Sequence, residues 1–265
     1  MIDLNQIDFS ELDRPEILEV LFHPRAEWGG YPAAQQTKDH LISVDKEAAI
    51  GARFHVEGIT SPNILFFHGN GEIVSDYDDM GAIYNGMGIN LLAVDYRGYG
   101  ISTGTPTITA MMRDCHVLFD FVTDWLKQNR YSGKLVLMGR SLGSASALEL
   151  AASYPDLIDA LIVESGFAYS GPLLQLMGIQ LDRFGFTEKK SFRNLEKIRK
   201  YQKPTLIIHA EFDHIIHFSE AQALYDASIS TDKAIIKIPA ANHNDIFLRG
   251  SKAYLTAIKQ LLERL

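Results

Sequence analysis

The sequence predicts an α/β protein: a mostly parallel sheet with helices on both faces. Three observations predict it. Short, continuous apolar runs recur along the chain, without the alternation expected of half-exposed strands. Between them lie segments with apolar residues at helical spacing, such as Met112, Cys115, Phe119, Val122 and Leu126. One apolar run passes straight into Gly139-Arg140-Ser141-Leu142-Gly143 and then into an Ala-rich helical stretch.

In chain order, 41–44 and 49–56 read as two strands of an antiparallel hairpin, turning at Asp45-Lys46-Glu47. Residues 63–67 form a short apolar strand ending in His68-Gly69-Asn70-Gly71. Residues 89–94 form another, ending in Asp95-Tyr96-Arg97-Gly98-Tyr99-Gly100. The acids Asp76, Asp78 and Asp79 suit the positive end of a helix, with Ser75 as its cap. The stripe through Cys115 faces a core, so that thiol reads as a small hydrophobe. Further strands are expected at 134–138, 160–163, 205–209 and 234–238. A last helix repeats Ile246, Leu248, Tyr254, Ile258 and Leu262 on its docking side. No repeat or break in composition divides the 265 residues, which predicts a single domain over 1–265.

Composition excludes several classes. A net charge of -8 disfavours nucleic-acid and anionic-membrane partners. The one cysteine, Cys115, rules out an internal disulfide framework and permits a reducing compartment. No apolar run approaches the length of a membrane span, and the first residues carry no basic, apolar leader pattern. A cytoplasmic location is the expectation.

Gly-x-Ser-x-Gly between a strand and a helix places its serine on a sharp turn, with the hydroxyl pushed outward. Ser141 therefore reads as a nucleophile. A serine hydroxyl is too weakly acidic to attack unaided; it needs a base in hydrogen-bond reach and a third group to orient that base. On such a scaffold the chain order is serine, acid, histidine. Of nine histidines, His243 is the one that is late, in a loop and beside a helix start. Asp213, in the loop after the strand 205–209, leads among the acids, with Glu164 as the alternative. Glu211 lies close to its strand end, and Asp245 opens a helix. The developing oxyanion needs backbone N–H donors. Leu142, directly after the nucleophile, supplies one; Asn70 supplies the other, with Gly71 competing.

Other signals fall away. Gly69-Asn70-Gly71 imitates the start of a dinucleotide fingerprint, but Val74 stands where the third glycine belongs. No phosphate-binding Gly-x-x-x-x-Gly-Lys-Ser/Thr occurs. His209, Asp213, His214 and His217 have a metal-like spacing, yet Asp213 is better used as the orienting acid, and no metal is expected.

Taken together, these pieces resemble the α/β-hydrolase superfamily, in the branch of small serine hydrolases described as α/β-hydrolase domain-containing or serine-aminopeptidase-like. The resemblance rests on Leu21-Phe22-His23-Pro24-Arg25, Phe66 to Gly71, Asp95 to Ser102, Gly139 to Gly143, Glu164-Ser165-Gly166-Phe167, Pro204 to His209 and Asn242 to Asp245. It implies an α/β-hydrolase fold with a small lid insertion, the triad Ser141, Asp213 and His243, and no cofactor. One departure is Ala210, where the family usually has glycine. The segment at about 165–203 exceeds an ordinary connection. Its apolar part, Gly171 to Leu181, reads equally as a lid over an acyl or aromatic group and as a helix packed on the sheet; Asn194 to Gln202 reads as the helix leading into the next strand. The expected reaction is hydrolysis of a carboxylic ester or thioester of a small-molecule acyl substrate. An aminopeptidase-like amide hydrolase and a non-catalytic binding protein are the alternatives.

Overall fold

The computed structural model describes residues 2–27 and 37–265. They group into two compact units, the first ending at Val136 and the second beginning at Leu137.

The first unit opens with helix α1 (Pro15–Leu21), where Pro15 takes the first helical position and needs no N–H partner. Strands β1 (Thr37–Ser43) and β2 (Ala49–His55) form the expected antiparallel hairpin, with Thr37 opposite His55 and Ser43 opposite Ala49. The Asp45 carboxylate closes the turn by accepting the Glu47 and Ala48 amides, each at 2.8 Å. Strand β3 (Asn63–Phe67) is buried throughout, as the apolar run 64–67 requires, and the Asn63 side chain at its start is satisfied by the Gly133 carbonyl and the Asn90 amide. Helix α2 (Asp78–Gly86) follows, then β4 (Asn90–Val94), which pairs parallel to β3 and antiparallel to β2. The spatial order is therefore β1-β2-β4-β3. Helix α3 (Ile108–Gln128) is capped by the Thr107 hydroxyl, which accepts the Ala110 N–H at 3.0 Å. Its stripe is buried as expected, Cys115 included.

Ser75 is not a helix cap. It lies inside the 3-10 turn Val74–Tyr77, and the Asp76 carboxylate accepts the Ile73 N–H at 3.0 Å instead. Asp78 and Asp79 do occupy the first turn of α2, where negative charge meets the helix dipole.

The second unit carries β5 (Leu135–Arg140, which starts at the border), α4 (Gly143–Ser153) and β6 (Ala160–Glu164). After them come α5 (Ser170–Leu176), α6 (Asn194–Ile198), β7 (Thr205–Ala210), α7 (Phe218–Ala227), β8 (Lys233–Ile238) and α8 (Ile246–Leu262). The order is β5-β6-β7-β8, and β6, β7 and β8 run parallel. Among the described residues, eight strands, mostly parallel and alternating with helices, match the predicted class.

Leu248 departs from its expected place on the buried face of α8; it is 84% exposed. Residues two apart never share a helix face, and Ile246 holds the buried position. Gly250 then leaves helical geometry (φ -123°, ψ 18°), after which Tyr254, Ile258 and Leu261 are buried, Leu261 taking the place expected of Leu262, which is half-buried. A Cβ on Gly250 would lie 2.3 Å from Ile238, so the kink goes with a close approach to β8.

Candidate active site

Ser141 sits at the end of β5 with φ 49°, a left-handed conformation that non-glycine residues rarely adopt. The Ser141 N–H donates to the Glu164 carbonyl at 2.8 Å, and the Ser144 hydroxyl donates to the Ser141 carbonyl at 2.6 Å. The turn is this tight only because position 139 is glycine: a Cβ there would lie 2.4 Å from the Gly143 carbonyl oxygen. Strain of this kind is held by the surrounding packing and keeps the hydroxyl at the apex of the turn.

The loops after β7 and β8 bring the other two residues to it. His243 Nε2 lies 3.0 Å from Ser141 Oγ, and His243 Nδ1 lies 2.7 Å from Asp213 Oδ2. A carboxylate can only accept, so Nδ1 carries the proton and Nε2 presents its lone pair to the serine hydroxyl. Asp213 and His243 are both buried. Asp213 Oδ1 accepts the amides of Ile215 and Ile216 at 3.0 and 2.8 Å. Burial pushes the Asp213 carboxyl upward, but the hydrogen bond and charge of His243 and the Ile216 N–H outweigh it and hold the group below its ordinary range.

His209 braces the same loop. Its Nε2 donates to the Ile216 carbonyl at 2.6 Å and lies 3.4 Å from Asp213 Oδ2. Burial pushes its imidazole down, keeping it neutral, and Nδ1 has no partner among the described residues. Among the described residues no three His, Cys, Asp or Glu side chains form a group able to hold a metal ion.

The competing acids have other tasks. Glu164 accepts from Arg140 Nη1 at 3.1 Å and from the Tyr254 hydroxyl at 2.6 Å. Glu211 accepts the Ala240 N–H at 2.9 Å, supporting a turn where Ala240 has φ 58°. Asp245 accepts the Asn242 N–H at 2.7 Å and pairs with Arg249. Sequence reasoning missed Arg140 altogether. Buried beside Ser141, it also donates to the His243 carbonyl at 3.1 Å, so one cation joins the serine turn to the histidine loop. Its position inside Gly-x-Ser-x-Gly is variable by definition, so no pattern could have marked it.

In the first unit, the loop after β3 is tightly held. Gly71 has φ 75°, and the Asn70 side chain is pinned by the His23 N–H at 2.8 Å and the Tyr99 hydroxyl at 2.7 Å. The Asn70 and Leu142 amides have no acceptor among the described residues.

The segment following β6 is tied down by two carboxylates. Glu188 accepts the Ser170 and Gly171 amides at 3.1 and 2.6 Å, and Glu220 accepts those of Ala168 and Tyr169 at 2.9 and 2.8 Å. Its apolar residues divide: Leu173 and Leu174 are buried, whereas Leu176 and Tyr169 are exposed. Between this segment and the acid loop lies a cavity of about 350 Å³, with Phe167, Leu173 and Leu176 on one side and Ile215 and Ile216 on the other.

The sequence matches the family model described as serine aminopeptidase, S33, over residues 60–184. It is 32% identical to the human alpha/beta hydrolase domain-containing protein 17B over 220 residues, covering 77% of this chain and 68% of that protein. The fold is similar to that of the Pyrococcus furiosus esterase Pf2001, with a TM-score of 0.72 and 17% identity, over 91% of this chain and 98% of the esterase. It is also similar to the Paleococcus ferrophilus monoacylglycerol lipase, with a TM-score of 0.63 and 19% identity, over 83% of this chain and all (100%) of the lipase.

Proposed function

We propose a reaction from one premise: the chain belongs to the α/β-hydrolase superfamily. It is a serine hydrolase that cleaves carboxylic esters or thioesters through an acyl-serine intermediate. The observation that carries this reading is the unbroken line Asp213 to His243 to Ser141, with contacts of 2.7 and 3.0 Å. His243 Nε2 takes the proton as Ser141 Oγ attacks the carbonyl carbon, and Asp213 stabilises the imidazolium that forms. The Asn70 and Leu142 N–H groups receive the oxyanion. The leaving group departs with the proton from His243, water activated by the same imidazole attacks the acyl-serine, and the free acid leaves. None of these steps calls for a cofactor. The segment at about 165–203 acts as a lid, and the cavity against Ile215 and Ile216 takes an apolar part of the substrate.

The serine-aminopeptidase description of the matched model favours a second reading, amide hydrolysis next to a free amino group. Such a site needs a carboxylate for the substrate ammonium. The two candidates nearest the motifs are committed: Glu72 to the Gly69 N–H and the Tyr77 hydroxyl, and Glu164 to Arg140 and Tyr254. That supports the ester reading.

Labelling by a fluorophosphonate, with Ser141→Ala as control, tests the nucleophile. Turnover of acyl nitrophenyl esters of increasing chain length, set against aminoacyl reporters, tests the substrate class. The expected result is labelling lost in Ser141→Ala and turnover confined to acyl esters. A well-folded wild type that does not label would sink the reading, and preferential turnover of aminoacyl reporters would replace it with the peptidase.

A further inference from the structure

His68 lies fully buried at the end of β3, and both of its ring nitrogens face acceptors. Nε2 is 3.0 Å from Asp95 Oδ1, and Nδ1 is 2.8 Å from the carbonyl oxygen of Gly69. A carbonyl oxygen cannot donate, so the Nδ1 contact is a hydrogen bond only if Nδ1 carries a proton. The carboxylate at the other end then holds a second proton on Nε2. The Gly69 carbonyl and the Asn70 N–H belong to one rigid, planar peptide unit and point in opposite directions. Whatever fixes the Gly69 oxygen therefore fixes the direction of the Asn70 N–H.

We propose that His68 is a positioning residue: its Nδ1–H clamps the Gly69–Asn70 peptide and so aims the Asn70 amide, with buried Asp95 as the counter-ion that keeps the ring doubly protonated. This rests on the reading of Asn70 as an oxyanion donor. The surroundings suit a cation at this place. Asp95 also accepts the Val74 N–H at 3.0 Å through Oδ1, and its Oδ2 is buried with no partner among the described residues. Gly100 leaves room for that second oxygen, since a Cβ there would lie 2.2 Å from it. Glu72 adds negative charge on the loop side, accepting the Gly69 N–H at 2.6 Å. The rings of Tyr96 and Tyr99 close the pocket, with centroids 4.6 and 5.7 Å from that of His68, and the Tyr96 hydroxyl donates to the His68 carbonyl at 2.6 Å. Burial alone works against a charged His68, but the Asp95 bond and charge, the Gly69 carbonyl and Glu72 outweigh it and raise the group above its ordinary value. The Glu72 N–H also reaches the Gly69 oxygen, at a longer 3.4 Å, so His68 makes the shorter contact.

Two variants separate the ends of the ring. In His68→Asn the amide nitrogen falls where Nδ1 was and can still donate to Gly69. In His68→Gln it falls where Nε2 was and reaches only toward Asp95. A merely structural role predicts similar kinetics for both variants, in proportion to their stability. The clamp predicts that His68→Gln loses about 10²–10³ in kcat with KM little changed, as for loss of an oxyanion donor, and that His68→Asn recovers most of the rate. Equal rates in the two variants, or a His68→Gln rate within about threefold of wild type where loss of an oxyanion donor costs far more, would overturn the proposal. A second measurement needs neither variant nor turnover. Nitrogen NMR of the selectively labelled wild-type ring at pH 8 should show a slowly exchanging proton on Nδ1, and a ring without it would refute the clamp. If wild type and Ser141→Ala prove equally inactive, the acyl-serine reading has failed, and the ring spectrum still decides whether His68 holds the Gly69 carbonyl.

Discussion

Replacing Asp213 with asparagine keeps shape and volume while reversing what the base can do. Asp213 Oδ1 accepts two amides, from Ile215 and Ile216 at 3.0 and 2.8 Å. In Asp213→Asn the side-chain oxygen must stay there, because an NH2 group facing two N–H donors would leave all of them unsatisfied. The NH2 then lands opposite His243 Nδ1, where Oδ2 now lies at 2.7 Å. A donor in that place forces the histidine proton onto Nε2, which faces Ser141 Oγ at 3.0 Å. The ring is held in position but presents a proton where the mechanism needs a lone pair. The expected loss is about 10⁴-fold in kcat, or about 5 kcal/mol of barrier at about 1.36 kcal/mol per decade. Steady-state turnover of an acyl nitrophenyl ester measures it, with a thermal melt to show that the variant is folded. A folded Asp213→Asn that keeps more than about a tenth of the wild-type kcat, far above that expectation, would refute the tautomer argument and the role given to Asp213.

Arg140→Met strips the buried Glu164 of its cation and should lower stability by about 3–5 kcal/mol in denaturant titration, while Arg140→Met with Glu164→Leu should recover much of that loss. Leu174→Ala opens a buried position in the segment after β6 and should cost about 2–5 kcal/mol, whereas Leu248→Ser on the exposed side of α8 should stay within about 0.5 kcal/mol; reversing that order would contradict the burial described. The raised His68 value means that the folded state holds its proton more tightly than the unfolded chain does. Its stabilisation is complete below the unfolded value of about 6.5 and is lost as pH rises through the folded value, so wild type should lose stability on alkalinisation faster than His68→Asn. Asp213 has the opposite sign: depressed when folded, it stabilises above about 3.9, and that contribution disappears as pH falls through the folded value, which Asp213→Asn should not show.

Much of the architecture was legible because it rests on local regularities. Strand β3 spans the expected residues, apolar over 64–67, and the α3 stripe survives because 3.6-residue spacing is imposed by the helix itself. The turn at Ser141 was readable because a strained turn between strand and helix needs small residues at fixed offsets: a Cβ at position 139 would lie 2.4 Å from the Gly143 carbonyl oxygen. Local rules failed where a neighbour decided. Leu248 was assigned inward by a pattern that Gly250 interrupts, and Ser75 yielded its capping role to the Asp76 carboxylate.

By itself, the sequence determined the class of fold, the strained turn that carries Ser141 and the chain order of Ser141, Asp213 and His243, because each depends on chain direction and short spacings. Only the tertiary structure decided where each carboxylate goes. Glu164, Glu211, Asp213 and Asp245 are chemically interchangeable on paper, and what separates them is the partner each meets across the fold: a guanidinium, a turn amide, an imidazole and a loop amide. The tertiary structure alone also revealed Arg140 and His68, whose tasks are to hold a carbonyl each, at His243 and at Gly69. Side-chain bonds to backbone depend on where loops pass in space, and they impose no spacing that a sequence could display.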